Sequence, residues 1–239
     1  MLCNIANLLV EIPAAGGMSV RCREYLHYEN AIPDIIISEE KYKPEKWPTI
    51  SYENMCYMES GFQFHGNLLR FEGMMLHSSA VEVDGKAYLF SGPSGMGKST
   101  HTRLWQSIFG EKACVFNDDK PALRRIDGRW YAYGTPWCGK DGINQNKKVP
   151  LAGICFLKRG EENKIRRLDP KEALPLLMSQ TIHKFKKIEN LDLLLNNVNY
   201  IIKEIPIFEL ENRPVEEAAR LSYETMLLAS KEVFDRENQ

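Results

Sequence analysis

Gly92-Pro93-Ser94-Gly95-Met96-Gly97-Lys98-Ser99 joins two segments of opposite periodicity. Before it, Lys86-Ala87-Tyr88-Leu89-Phe90 reads as a buried strand. After it, Leu104, Trp105, Ile108 and Phe109 fall at i, i+1, i+4 and i+5, the apolar stripe of a helix, and Gly110 stands where a C-cap glycine belongs. Ala113-Cys114-Val115-Phe116 then forms a short buried strand that runs into Asn117-Asp118-Asp119. Strand, glycine loop, helix and strand in that order predict an α/β fold; a mixed β-sheet is expected.

The octapeptide fits G-x-x-x-x-G-K-[ST] without a gap, a match that chance supplies in about one chain of this length in a hundred. A backbone that curls round a polyphosphate must turn its N–H groups inward through φ values that glycine tolerates, and a helix must begin there to aim its positive end at the anion. Gly92, Pro93, Ser94, Gly95, Met96, Gly97, Lys98, Ser99 and Thr100 are therefore the expected nucleotide cradle. Lys98 is suited to the β and γ phosphates, and the Ser99 hydroxyl to Mg²⁺. A dinucleotide fingerprint starting at Gly95 fails, because it requires glycine where Thr100 stands.

Asp118 and Asp119 end the next strand, the first of them 20 residues beyond Lys98, where a Walker B carboxylate would face the loop hydroxyl across a magnesium ion. That distance leaves room for one helix and one return strand, so the two strands should be neighbours or nearly so. Two adjacent carboxylates permit a division of labour: one binds metal, and the other accepts the proton of an incoming hydroxyl.

Upstream, Met75 to Val83 reads as one strand, with Asp84-Gly85 as a type I′ hairpin turn. The segment from Tyr52 to Phe71 has a partly helical rhythm weakened by Gly61 and Gly66. Downstream, Arg129 to Tyr133 and Ala152 to Leu157 read as strands, and the irregular run from Gly134 to Gly142 between them is expected at the surface. Asp169-Pro170-Lys171-Glu172 is a capping box. Leu191, Leu194, Leu195, Val198, Ile201 and Ile202 make an amphipathic helix, Ile205 to Leu210 a strand, and Pro214 with Glu216 and Glu217 the start of a terminal helix. The proline-rich stretch Lys41 to Pro48 divides a small N-terminal α+β subdomain (1–50) from the main domain (51–239).

His77-Ser78-Ser79-Ala80-Val81, Asp84-Gly85, the loop and Asn117-Asp118-Asp119 together resemble the catalytic core of the HPr kinase/phosphorylase family, most closely its short serine-kinase relatives. That core is itself similar to ATP-dependent phosphoenolpyruvate carboxykinase. The resemblance covers about residues 74 to 160 and implies a P-loop of the HPr kinase/phosphoenolpyruvate carboxykinase type. It gives Lys98 a phosphate role, Ser99 a magnesium role with Asp118 and Asp119, and one of those aspartates the role of general base. His77 matches a family histidine near the active site. Tyr131 and Tyr133 stand on the strand where the family carries a glutamate magnesium ligand, and Lys140, on the following loop, is placed to supply a transition-state cation.

Composition narrows the partners. The 239 residues are 44% hydrophobic and 26% charged, which is globular, and 31 Lys plus Arg against 32 Asp plus Glu leave a net charge of −1. No global field draws the chain to nucleic acid or anionic lipid, and no apolar run approaches the ~20 residues that span a bilayer. The N-terminus lacks the basic, apolar and small-residue order of a secretory signal, and six scattered cysteines read as free thiols of a cytoplasmic protein. The leading expectation is a kinase that uses ATP and Mg²⁺ to phosphorylate a hydroxyl, foremost a serine of a protein or peptide. A non-catalytic ATP sensor and a small-molecule kinase are the alternatives, and a homo-oligomer is compatible with either.

Overall fold

Side chains of successive residues in a strand point to opposite faces, and the strand before the glycine loop uses both. The computed structural model describes residues 1–43, 45, 48–181 and 188–237. In it, β6 (Lys86–Ser91) sends Ala87 and Leu89 into one core and Tyr88 and Phe90 into another. Ile154 and Phe156 against Cys155 and Leu157 do the same on β10 (Lys148–Arg159), as does Ile207 against Phe208 on β12 (Ile207–Asn212). A sheet buried on both faces explains the near-continuous apolar runs of these strands.

Nine strands form this mixed sheet, in the order β4 (Gly73–Met75), β8 (Ala122–Ile126), β9 (Arg129–Tyr133), β10, β6, β5 (Ser78–Val83), β7 (Ala113–Asp119). β12 pairs with the far half of β10 and with β11 (Lys164–Arg167). The twelve-residue β10 pairs antiparallel with β9 at its start and parallel with β6 and β12 further on, with a register shift between Leu151 and Gly153. A bulge at that point curls the sheet. On one face lie α4 (Pro170–Ser179) and α5 (Ile188–Glu204), on the other α3 (Lys98–Phe109) and α6 (Glu216–Glu237).

A second, three-stranded sheet contains β1 (Leu2–Ile5), β2 (Leu8–Glu11) and β3 (Ile35–Ile36). Four-residue α1 (Met18–Arg21) follows β2. Its apolar residues share one core with Met55, Cys56, Phe64 and Leu68 of α2 (Tyr52–Leu68) and with Ala122, Tyr133 and Trp137. Asp169 caps α4 with the full reciprocal box. Among the described residues no helix is long and apolar enough to cross a membrane.

Several sequence expectations are corrected. The stretch from Met75 to Val83 is two strands, broken at Leu76-His77, because β4 pairs with β8 whereas β5 pairs with β6 and β7. α2 runs unbroken through both glycines; Gly61 is kept small by the Trp137 indole, which an added Cβ would approach to 3.0 Å. The run after β9 is not a surface loop throughout: 134–138 are buried. On α5, Leu194, Val198 and Ile201 are buried but Leu191 and Leu195 are about 40% exposed, so the packed stripe is narrower than the apolar one.

Candidate functional site

The loop after β6 turns through positive φ at Gly92 (144°), Gly95 (77°) and Gly97 (95°), and α3 begins at Lys98. An added Cβ at Gly95 or Gly97 would meet no atom within 4 Å, so backbone conformation, not crowding, requires glycine at these two positions. Arg159 fastens the loop, donating from Nη2 to the Gly95 carbonyl at 3.0 Å. Lys98 is buried and donates Nζ to the carbonyls of Gly92 (2.9 Å) and Pro93 (3.2 Å). Burial pulls its pKa down, while Asp119 and Asp118 oppose that shift.

β7 brings the carboxylates to the loop. Although β6 and β7 are parallel and joined by α3, they are not adjacent: β5 lies between them, antiparallel to both. The β5–β7 register sets Ser79 opposite Asp118 and Ser78 opposite Asp119, after a bulge between the Ala80 and Val81 pairings. Ser99 Oγ donates to Asp118 Oδ1 at 3.0 Å. His77, one residue before Ser78, therefore reaches Asp119: Nε2 is 3.2 Å from Oδ1. Its other nitrogen, Nδ1, is 3.2 Å from Gln180 Oε1.

Asp119 is the more constrained of the two. It has φ 116°, rare for a non-glycine residue, and its other oxygen accepts from Lys120 Nζ and from Tyr57 Oη (3.3 Å). Burial pushes its pKa up, but the hydrogen bond from His77 and the charge of Lys120 outweigh that and hold the carboxyl well below the usual range. Tyr57 moves the opposite way, raised by burial and then by the Asp119 charge. A strained backbone held by three polar partners is the pattern of a pre-organised site.

The run after β9 closes the edge. Gly139 donates its N–H to the Asp118 carbonyl, and isolated bridges join Asp119 to Cys138 and Asn117 to Asn144. Lys140 is thereby set, exposed, on a cavity of about 530 Å³ shared with His77, Ser94, Gly95, Gly97, Lys98, Ser99, Thr100, Asp118 and Asp119. The fold thus gathers the expected site residues in one place, except that Gly92, Pro93 and Met96 do not line this cavity. Cys138 is buried, which raises its thiol pKa, and accepts a hydrogen bond from Arg21.

Three residues of the site carry no motif. Lys120 was legible only as the neighbour of Asp119; Tyr57 and Gln180 come from α2 and the end of α4, far away in sequence. The donor set fits a magnesium-bound polyphosphate. Open backbone at Gly95 and Gly97 leaves room for phosphate oxygens, and Ser99 with Asp118 offers the hard oxygens Mg²⁺ prefers. Among the described residues no group of three or more His, Cys, Asp or Glu could hold a metal ion.

Comparison with known proteins gives one family. The model of the SynChlorMet cassette protein ScmC matches residues 51–213, more than half of the chain. No curated protein matches. Among solved structures, the HPr(Ser) kinase/phosphatase of Coxiella burnetii aligns at 13% identity over 64% of this chain and 98% of its own, with a TM-score of 0.34. A likeness that loose carries no argument about the reaction.

Proposed function

The chain belongs to the ScmC family, and for this member we propose a reaction: magnesium-dependent transfer of the ATP γ-phosphoryl group to a hydroxyl, foremost a serine of a peptide or protein. The observation that carries the reading is the convergence of Lys98, Ser99, Asp118, Asp119 and His77 on one cavity at a helix N-terminus. In this reading the loop is a P-loop, its N–H groups and the start of α3 would hold the phosphates, and Lys98 would exchange the Gly92 and Pro93 carbonyls for the γ-phosphate. Ser99 and Asp118 would hold Mg²⁺, which when bound neutralises charge on the β and γ oxygens.

Asp119 faces the acceptor. The hydroxyl oxygen forms its bond to phosphorus as the bridging oxygen leaves with ADP, and the hydroxyl proton passes to Asp119. A carboxylate with a depressed pKa is a weak base, which suits a loose transition state where the proton leaves late. His77 and Lys120 keep Asp119 ionised and aimed, and Lys140 adds positive charge at the mouth as transfer proceeds.

The test is a thermal-unfolding series with ATP, GTP and ADP, with and without Mg²⁺, on the wild type and on Lys98→Ala, followed by a transfer assay with labelled ATP. Ligand at 100 times its dissociation constant adds about 2.7 kcal/mol of apparent stability. A magnesium-dependent shift that Lys98→Ala loses supports the site, and phosphate transfer abolished by Asp119→Asn supports the kinase. No shift with any nucleotide overturns the reading.

A further inference from the structure

We propose that the apolar cavity beside Asp119, between α2 and Trp137, is the acceptor-specificity pocket of the same site, and that it takes a bulky apolar or aromatic side chain of a peptide next to the phosphorylated serine. The proposal rests on the kinase reading for its serine and on the following geometry for its pocket.

The cavity holds about 500 Å³ and is lined by Tyr57, Met58, Gly61, Phe62 and Trp137, together with Lys120 and the polar Asn54. Gly61 adds no side chain to it, and a Cβ there would press on the Trp137 indole at 3.0 Å. Trp137 is itself immobilised, stacked on Phe64 at 4.7 Å and donating Nε1 to Ser60 Oγ at 3.0 Å, so the aromatic wall is rigid before any ligand arrives. A preformed apolar hollow with a few polar groups is the usual form of a small recognition pocket.

Its position gives it a role. Tyr57 lines the hollow while its hydroxyl contacts Asp119 Oδ2 at 3.3 Å, and Lys120 Nζ touches both Tyr57 Oη (3.0 Å) and Asp119. The pocket and the base are thus separated by the thickness of one phenol edge. Consecutive Cα atoms lie about 3.8 Å apart, so a residue anchored in the hollow leaves a serine one or two positions away at Asp119. The glycine loop does not line this hollow, which leaves it to the acceptor rather than the nucleotide. Asp119 is about one-quarter exposed and Lys140 is exposed, so the site opens outward as a chain passing through requires and a sealed small-molecule cavity does not.

The probes are two acetylated, amidated tetrapeptides, Gly-Phe-Ser-Gly and Gly-Ala-Ser-Gly, together with Gly-Ser-Phe-Gly for the other order. Binding is read from the [¹³C]methyl resonance of Met58, assigned by its loss in Met58→Leu. Expected is a saturable shift with at least one phenylalanine peptide, at a Kd lower than that of the alanine peptide by about tenfold or more, and abolished by Asn54→Trp, an exposed position where the indole blocks the mouth. Equal binding of all three, or no movement of Met58 at millimolar peptide, overturns the pocket. The binding readout needs no phosphate transfer, and the Mg-ATP shift of the same samples reports separately whether the kinase reading stands.

Discussion

Ser99 Oγ donates a hydrogen bond of 3.0 Å to Asp118 Oδ1, joining the first turn of α3 to the end of β7. The bond depends on three local facts. The loop glycines let the chain enter α3 immediately after β6, β5 intervenes between β6 and β7, and the β5–β7 register brings Asp118 level with Ser79. It leaves Asp119, the next residue, to a different set of partners, and so assigns the two carboxylates to different jobs.

The first prediction concerns Mg²⁺. Ser99→Ala and Asp118→Asn each remove one oxygen from the pair that would hold the ion. Changing a residue that only supports a metal ligand costs about 10–100-fold in metal affinity, so with a ligand itself altered the Mg²⁺ concentration for half-maximal ATP-induced stabilisation should rise by about tenfold or more in either variant. A titration of Tm against Mg²⁺ at fixed ATP checks this. An unchanged midpoint in both variants would remove these residues from the metal site.

A second prediction follows Asp119 through pH. The hydrogen bond from His77 and the charge of Lys120 are what hold the Asp119 pKa down. His77→Ala and Lys120→Met each leave burial less opposed, so the Asp119 pKa rises. The acid limb of the pH–rate profile should therefore move toward neutral pH in both variants, and His77→Gln, which can still donate, should move it less. Coincident acid limbs in all four proteins would mean that another group sets that limb.

What the sequence disclosed and what it withheld follow the range of the interactions. The glycine loop, the Asp84-Gly85 turn, whose two φ values are both positive (50° and 71°), and the Asp169 capping box are decided within a few residues, and local pattern reads them. The break at Leu76-His77 is invisible locally because it is caused by pairing with different partners. Tyr57 reaches Asp119 only because α2 packs against the residues after β9, and 134–138 are buried only because the shared core of the two sheets needs Trp137. Sequence periodicity has no access to either contact. Composition likewise does not register that the first strands share a core with α2.

Gly134 supplies a third prediction. An added Cβ would lie 1.8 Å from the Gln145 carbonyl oxygen and 3.2 Å from that of Phe116, and both are backbone atoms fixed in hydrogen bonds. Gly134→Ala must therefore displace the run that carries Gly139 and Lys140 to the cavity. Overpacking of this kind costs about 1–3 kcal/mol. Urea denaturation should show that loss, together with weaker nucleotide stabilisation, whereas Gly66→Ala, where an added Cβ meets nothing within 4 Å, should show neither. Equal stability of the two variants would contradict the packing described at β9.

The last prediction follows the Asp119 charge into stability. Its side chain is about one-quarter exposed, and its folded pKa lies below the ordinary carboxylate value of about 3.9 that it takes when unfolded. The folded state therefore favours the ionised form. That contribution is fully present above the unfolded pKa and is lost as pH falls through it toward the folded value. Asn tolerates positive φ about as well as Asp does, so Asp119→Asn removes the charge without adding backbone strain. At pH 7 the variant should be less stable than the wild type by about 1–3 kcal/mol, and the difference should shrink steadily between about pH 5 and pH 3. Urea midpoints across that window measure it. A difference that stays constant with pH would mean that His77, Lys120 and Tyr57 hold the shape of residue 119 and not its charge, and the weak-base role given to Asp119 would fall with it.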